Sequence, residues 1–401
     1  MFKEKIADLI SKNTPLSKKE VLDLIEVPPS PDMGDFSFPC FVLSNTKPKD
    51  DEMWEDVEPD FFIKKSPVEV ASHLLDKLNS VKLPGEFEKV EVKGPYINFF
   101  VNKPVLAKKI IKIKSGFGKG DVNKKVVIEF PSPNTNKPLH LGHLRNMTLG
   151  ESLSRILEFL GCKVFRTNLN NDRGVHICKS MLAYKKWGEW GKPDKKSDHF
   201  VGDYYVLFNN KLKSNPGLEK EAQEMLEKWE EGDKETLKLW KKMNKWAISG
   251  FKQTYKTFGI KEYDKEYFES EIYNFGKQIA LNGVKKGIFT KNNDGAVVIN
   301  LGRVDNQDLG EKVILRSNGT SVYITQELHL AELKHHEFDP DISIYVVANE
   351  QDYHFKVLKE ILKRLDAVYA DKVHSLSYGM VALPEGRMKS REGKVVDADN
   401  L

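Results

Sequence analysis

Two histidines follow a short apolar run in the middle of the chain. Residues 126–130 read VVIEF, typical of a buried strand, and residues 131–146 read PSPNTNKPLHLGHLRN. If a helix begins there, His140 and His143 lie on one face of its first turns, and Gly142 leaves the backbone open to a flat ring. Imidazoles beside a helix N-terminus suit the oxygens of a polyphosphate. The stretch therefore predicts a phosphate site.

Two other interpretations of this stretch compete with a phosphate site. Histidines at this spacing can bind zinc, but no third ligand follows closely, and Cys162 and Cys178 are not at ligand spacing. We therefore predict no metal site in the protein. A purely structural corner needs only the prolines and the glycine, and it leaves Lys137 and Asn134 unexplained.

The composition limits the class of protein. A chain of 401 residues predicts two or three domains, and a net charge of +4 permits a nucleic-acid partner without requiring one. Three scattered cysteines indicate a reducing compartment. No stretch approaches the roughly 20 apolar residues of a membrane span. We expect a cytoplasmic protein without membrane association.

The pattern of predicted elements changes near residue 118. Residues 1–118 mix strands and helices without regular alternation, which predicts a small α+β domain. Residues 119–401 begin as strand, helix, strand, and the alternation returns with AVVINL, KVILRS, ISIYVVANE and SLSYGM. Charged helices interrupt it at about 176–290. We predict an α/β doubly wound parallel-sheet domain with a helical insertion.

The string EFPSPNTNKPLHLGHLRN resembles arginyl-tRNA synthetases, a family of class I aminoacyl-tRNA synthetases with a Rossmann-like (HUP) catalytic domain. Similar motifs recur in order along the chain: NDRGVHICKSM, DHFVGDYYVLF, FESEIY, TSVYITQELHLA, NEQDYHF and GMVALPEGRMKSREGKVV. The resemblance implies an arginine–tRNA ligase that uses ATP with Mg²⁺, L-arginine and tRNA(Arg). It also implies a monomer.

The resemblance assigns residues to ATP chemistry. In the signature loop, at about 384–396, Arg387 replaces the first lysine of the class I K-M-S-K-S pattern and the second lysine is missing. Lys137 takes the position thought to compensate for it. The implied catalytic residues are Lys137, His140, His143, Arg387 and Lys389. The implied ATP-binding residues are Pro133, His140, Gly142, His143, Met388 and Ser390.

The resemblance also assigns an arginine pocket. Glu129, Ser132 and Asn134 are expected to hold the amino-acid end of the substrate. Tyr323 and Glu327 share a helix face and are expected to bind the guanidinium, with Glu327 standing where the family has Asp. The implied arginine-binding set is Glu129, Ser132, Asn134, Tyr323, Glu327 and Gln351.

In the N-terminal domain, the resemblance implies a contact with the tRNA elbow. Tyr96, Asn98 and Phe99 of GPYINFF could bind an exposed base, although a core strand explains the same pattern. Family members continue beyond VVDADNL into a helical anticodon-binding domain. The chain is then an expression fragment, an incomplete gene product, or half of a split enzyme with a separate helical anticodon-binding chain. The alternatives to a ligase are a tRNA-binding paralogue and a nucleotidyltransferase with a small-molecule acceptor.

Overall fold

The computed structural model describes residues 2–45, 65–113, 116–383, 386–387 and 396–401. For residues 45, 382–383 and 386–387 it describes the backbone only. The chain divides into two compact units, residues 1–117 and 118–401. No helix in the described part of the chain is long and apolar enough to cross a membrane.

The N-terminal unit packs helices against a small antiparallel sheet. Its elements are α1 (Phe2–Ser11), α2 (Lys18–Leu24), β1 (Phe36–Pro39), α3 (Pro67–Ser80), β2 (Phe87–Lys93), β3 (Tyr96–Val101) and α4 (Lys103–Ile111). The strand order is β1–β3–β2. The central strand β3 buries Ile97, Phe99 and Val101 in the core, alongside Leu74 of α3. Ser66 caps α3, because its hydroxyl accepts a hydrogen bond from the Glu69 N–H.

The second unit is built on a parallel sheet of five strands. They are β4 (Lys125–Glu129), β5 (Lys163–Asn170), β6 (Lys265–Phe268), β12 (Ile342–Ala348) and β13 (Val373–Tyr378). The order is β13–β12–β4–β5–β6, so the chain leaves β4 to one side and returns on the other. In such sheets ligands bind beyond the strands' carboxyl ends where this reversal occurs. That point lies between β4 and β12, where Glu129 is aligned with Tyr345.

Helices cover this sheet and form a separate helical region beside it. They are α5 (Leu141–Phe159), α6 (Val175–Trp187), α7 (Ser197–Leu212), α8 (Leu218–Glu230), α9 (Lys234–Thr257), α10 (Glu269–Lys285), α11 (Tyr323–Phe338) and α12 (Asp352–Arg364). The helices α6 to α9 lie within the predicted helical insertion. The predicted insertion, about 176–290, extends too far towards the C-terminus. Residues Lys265 to Phe268 form β6, which pairs with β5 and belongs to the parallel sheet.

The strands of residues 290–315 pair antiparallel in two small sheets, one of three strands and one of two. The remaining strands are β7 (Thr290–Lys291), β8 (Val297–Asn300), β9 (Arg303–Val304), β10 (Gln307–Asp308), β11 (Glu311–Leu315), β14 (Ala382–Leu383) and β15 (Gly386–Arg387). The two-stranded sheet is formed by β9 and β10, and β14 pairs with β15. The runs AVVINL and KVILRS supply β8 and β11, which pair antiparallel in the order β11–β8–β7. These two runs were expected in the parallel sheet, and the structure corrects that expectation.

Candidate functional site

The two histidines cap the helix that they begin. The Gly142 N–H donates to His140 Nδ1 at 3.1 Å, and the His140 N–H donates to His143 Nδ1 at 3.2 Å. The ring centroids are 3.9 Å apart. Each imidazole thus satisfies one of the free N–H groups at the start of α5, a task that usually falls to Ser, Thr, Asp or Asn.

This hydrogen-bond pattern assigns the tautomer of both rings. A neutral imidazole that accepts through Nδ1 carries its proton on Nε2. Burial, and then the charge of Lys137, lowers the pKa of His140 to about 4. Burial also lowers the pKa of His143, with smaller effects from His140 and Lys137. At neutral pH both rings are therefore uncharged N–H donors, and Lys137 supplies a positive charge close to them.

The chain segment after the signature loop lies beside this motif. The Leu141 N–H donates to the Val396 carbonyl at 2.9 Å, and the Ala398 N–H donates to the Leu139 carbonyl at 3.0 Å. The side chain of Arg387 and all of Met388, Lys389 and Ser390 lie outside the described residues. The phosphate contacts of Arg387 and Lys389, and ATP binding by Met388 and Ser390, stay predictions.

The loop after β4 is tied to the end of β5. The Ser132 N–H donates to Asn168 Oδ1 at 3.1 Å, and Asn171 Nδ2 donates to the Ser132 carbonyl at 3.0 Å. Buried Pro133 accepts from the Asn171 N–H at 2.9 Å. Exposed Asn134 forms a parallel bridge with Asn171. This bonding holds Ser132 next to Glu129 and fixes Asn134 beside Asn171.

Glu129 and Glu327 are buried carboxylates that influence each other. Ser132 Oγ donates to Glu129 Oε1 at 3.2 Å. Burial first, and then the negative charge of Glu129, raises the pKa of Glu327. Glu327 Oε2 has no hydrogen-bond partner among the described residues. A buried carboxylate oxygen without a donor is costly, so this atom is suited to a cationic ligand.

Tyr323 lies one helical turn before Glu327 on α11, as predicted. Its side chain is 51% exposed, and its ring lies 5.3 Å from that of His354. Gln351 is exposed and ends a short 3₁₀ turn, Asn349–Gln351, that directly follows β12. Gln351 thus follows the carboxyl end of β12, and Tyr323 and Glu327 lie on α11, the helix that precedes β12.

Two residues near these carboxylates were not predicted from the sequence. Lys334 is 1% exposed, and its ammonium forms an ion pair with Glu129 Oε2. Glu269 acts electrostatically on both Tyr323 and Glu327. Burial raises the pKa of Glu269 to about 7, and Arg173 opposes that rise. Glu269 belongs to FESEIY, so the motif was a signal for it. Nothing in the sequence singled out Lys334.

The structure corrects two of the three residues predicted to contact tRNA. Phe99 is fully buried in the core of the N-terminal unit, and Asn98 is buried, where its Oδ1 accepts from Ser37 Oγ at 2.8 Å. Neither side chain can stack on a base. Tyr96 is half-buried, and its ring lies edge-on to the exposed Phe41 at 5.9 Å.

Among the described residues, one group of three side chains has the geometry of a metal site, namely Asp198, His199 and Asp399. Lys196 Nζ lies 3.0 Å from Asp198 Oδ2 and 2.6 Å from Asp399 Oδ2. The ammonium already supplies a positive charge to these carboxylates. The group is therefore explained as an ion-pair network.

Comparisons with known proteins agree with the geometry. Residues 106–401 match the family model of tRNA synthetases class I (R), catalytic domain, and residues 1–101 match the arginyl tRNA synthetase N terminal domain. An arginine–tRNA ligase of Treponema denticola is 48% identical over 99% of the chain and 66% of its own length. One of Borrelia duttonii is 45% identical over 100% of the chain and 67% of its own length.

A solved structure shares the fold. The arginyl-tRNA synthetase of Thermus thermophilus superposes with a TM-score of 0.68 at 23% identity, over 100% of this chain and 68% of that one. The chain thus spans about two thirds of the length of these relatives. With a matching catalytic-domain model over most of its residues, the chain belongs to the arginyl family of class I tRNA synthetases.

Proposed function

We propose that the chain carries the catalytic part of an arginine–tRNA ligase. The observation that carries this proposal is the pair of buried carboxylates, Glu129 and Glu327, at the switch point of a parallel sheet whose central strand leads into the capped histidines. One side of this site suits a dication, and the other suits a polyphosphate. Arginine and ATP have these two chemistries.

The carboxylates fit the two cationic ends of L-arginine. Glu129, with Ser132 and Asn134 nearby, is proposed to bind the α-ammonium group. Glu327 and Tyr323 are proposed to bind the guanidinium, with Gln351 as a neutral acceptor. A guanidinium offers five donors in a planar fork, which matches a carboxylate oxygen that lacks a partner. Glu269 adds a third carboxylate near Tyr323 and Glu327.

The histidine motif fits ATP, which enters as its magnesium complex. Gly142 leaves space for the adenine ring, and Pro133 lies in the adjoining loop. The Nε2–H groups of His140 and His143 can donate to phosphate oxygens, because the Nδ1 atoms are engaged in capping. Lys137 contributes a positive charge. On the basis of sequence alone, Arg387 and Lys389 of the signature loop are proposed as further phosphate contacts, and Met388 and Ser390 as further ATP-binding residues.

The proposed reaction has two steps. An oxygen of the arginine carboxylate attacks the α-phosphorus, and the bond to the bridging oxygen of pyrophosphate breaks. A terminal ribose hydroxyl of tRNA(Arg) then attacks the carbonyl carbon of arginyl-adenylate, and AMP leaves. Charge moves onto pyrophosphate in the first step, so neutral donors and a fixed cation stabilise that transition state. No covalent nucleophile from the protein is needed.

The N-terminal unit is proposed to contact tRNA(Arg) through an aromatic surface. Tyr96 and the exposed Phe41 lie edge to face there and can stack on unpaired bases. Because ATP and tRNA are substrates of protein synthesis, the cytoplasm is the proposed location. The monomeric state stays a prediction.

ATP–pyrophosphate exchange that depends on arginine tests this function. The expected result is exchange with arginine in the presence of tRNA(Arg), and a loss of roughly 100-fold in kcat/KM for arginine in Glu327→Gln, because a buried charge partner is removed. Glu332→Gln is the matched control on the same helix, since Glu332 faces His329 at 3.3 Å. Wild-type chain without exchange, even with tRNA(Arg) and a helical anticodon-binding domain supplied, would contradict the ligase and favour a tRNA-binding paralogue.

A further inference from the structure

Lys334 is a buried cation with a defined set of partners. Its ammonium pairs with Glu129 Oε2 and lies 3.7 Å from the centre of the Tyr345 ring. Lys334 is on α11, and Glu129 and Tyr345 are aligned on the neighbouring strands β4 and β12. The side chain is 1% exposed, so water does not solvate the ammonium. An ion this deeply buried persists only when a counter-ion and other favourable contacts compensate for lost hydration.

The ion pair fixes the orientation of Glu129. Lys334 donates to one carboxylate oxygen, and Ser132 Oγ donates to the other. Each carboxylate oxygen can accept two hydrogen bonds, so Glu129 keeps acceptor capacity on both oxygens for a further cation. A carboxylate held in this way does not have to reorient when the ligand arrives.

The same ammonium acts on Glu327. The positive charge of Lys334 lowers the pKa of Glu327, against the larger opposing effects of burial and of Glu129. Other titratable side chains that act electrostatically on Glu129 or Glu327 are Glu269, Tyr267, Tyr323 and Tyr345. None of them carries a positive charge. Lys334 therefore counteracts the accumulation of negative charge at this site.

We propose that Lys334 is a positioning residue for arginine binding, which holds the Glu129 carboxylate in place and keeps Glu327 available as an anion. This inference rests on the proposed function, since it assigns arginine to these carboxylates. Lys334 has no contact with the substrate in this proposal. It acts through Glu129 and Glu327, and its loss changes the pH dependence of arginine binding as well as its strength.

The test is equilibrium dialysis of radiolabelled arginine against wild-type chain and Lys334→Met, over the pH range in which Glu327 titrates. At neutral pH the variant is expected to bind roughly tenfold more weakly. The acidic limb of the binding curve, where arginine binding is lost as the pH falls, is expected to lie about one pH unit higher in the variant. The reason is that Glu327 has lost a nearby positive charge. ATP binding is expected to stay within about twofold of wild type, since the contacts of Lys334 within the described part of the chain are with Glu129 and Tyr345, away from the capped histidines.

Two further comparisons separate positioning from folding. Lys265→Met is the matched control, because Lys265 also pairs with a glutamate, Glu337, at 3.5 Å and lies 5.6 Å from a tyrosine ring, but is exposed. It should leave arginine binding unchanged. If Lys334→Met does not fold, Glu129→Gln is compared with the double variant Glu129→Gln/Lys334→Met, which removes both members of the ion pair. The double variant should have the higher acidic limb.

Each outcome decides the question. Unchanged affinity and an unchanged acidic limb in Lys334→Met would overturn the inference and leave the ligase proposal standing. A uniform loss of arginine and ATP binding with the limb unmoved would show a merely structural role and would also overturn it. Wild-type chain that binds no arginine would overturn the proposed function, and this inference with it.

Discussion

At the residue scale, the capped histidines combine a structural task with a chemical one. His140 and His143 use Nδ1 to accept backbone N–H groups at the start of α5. Their rings are thereby held in one orientation, and Nε2–H is the donor that remains. Because burial and Lys137 keep both rings neutral, each ring donates one hydrogen bond through Nε2–H and carries no positive charge.

The lowered pKa of His140 predicts a pH-dependent stability. The ring is neutral in the folded chain down to about pH 4, whereas an unfolded histidine takes up a proton below about 6.5. The neutral His140 ring therefore contributes its full stabilisation of the folded chain above about pH 6.5, and this stabilisation is lost as the pH falls towards about 4. His140→Asn keeps an N-cap acceptor without a titrating ring. Between about pH 6.5 and pH 4, the free energy of unfolding should therefore fall by up to about 3 kcal/mol more in the wild type than in His140→Asn.

Urea unfolding of both proteins at several pH values measures this difference. His336→Asn is a control, because His336 is exposed. Parallel losses of stability in wild type and His140→Asn would contradict the assignment of a neutral, capping His140.

The sequence could predict residues that follow a motif, but not residues that depend on distant pairing. Tyr323 and Glu327 were assigned to the arginine pocket by the family resemblance of TSVYITQELHLA, and their spacing of four placed them on one helix face. Lys334 was missed because its partner Glu129 is 205 positions away, and the helix pattern gives no sign of which strand it meets. Phe99 was assigned to tRNA binding although it is a core residue. A phenylalanine in a predicted strand can be buried in the core or exposed to a base, and the sequence does not distinguish the two.

At the element scale, the close approach of α5 to the end of β4 positions the histidines. Gly150 makes this approach possible, because a Cβ there would lie 2.3 Å from Cγ of Phe130. Phe130 is fully buried and packs on Tyr263, with ring centres 5.5 Å apart, so the ring has little room to move. The helix start and the carboxyl end of β4 are thus held at a fixed separation.

Gly150→Ala is expected to destabilise the chain. Overpacking against Phe130 costs about 1–3 kcal/mol, and the better helix propensity of alanine offsets only up to about 1 kcal/mol of that. With the full offset, the expected net loss is up to about 2 kcal/mol in the free energy of unfolding, read from the denaturant midpoint. Gly191→Ala is the control, since a Cβ at this exposed glycine meets its nearest neighbour at an ordinary 3.4 Å. A stabilised Gly150→Ala would contradict the tight packing.

The sequence predicted the strands of residues 296–315 but placed them in the wrong sheet. Apolar runs of this length look alike in parallel and antiparallel sheets. The connection between β8 and β11 is short and contains turn residues with positive φ, such as Gly302, Asp305 and Asn306. A parallel crossover needs a dozen or more residues, so the connection length and turn residues were the informative signals.

At the scale of the whole molecule, the strand order explains where the site lies. The chain runs β4, β5, β6 to one side and returns to β12 and β13 on the other, so the carboxyl ends of β4 and β12 frame a crevice. The alternation of strands and helices was enough to predict this doubly wound sheet. It was not enough to predict which helix faces the crevice, because that depends on how α11 packs against β4 and β12.

The most direct test of the whole account compares arginine with citrulline, which has the same shape but no charge on its side chain. In ATP–pyrophosphate exchange with tRNA(Arg), we expect citrulline to be activated at least roughly 100-fold less efficiently than arginine, because a neutral urea cannot compensate the buried Glu327 carboxylate. In Glu327→Gln this preference should shrink by roughly tenfold or more. Equal use of arginine and citrulline by the wild-type chain would contradict the assignment of these carboxylates to a guanidinium.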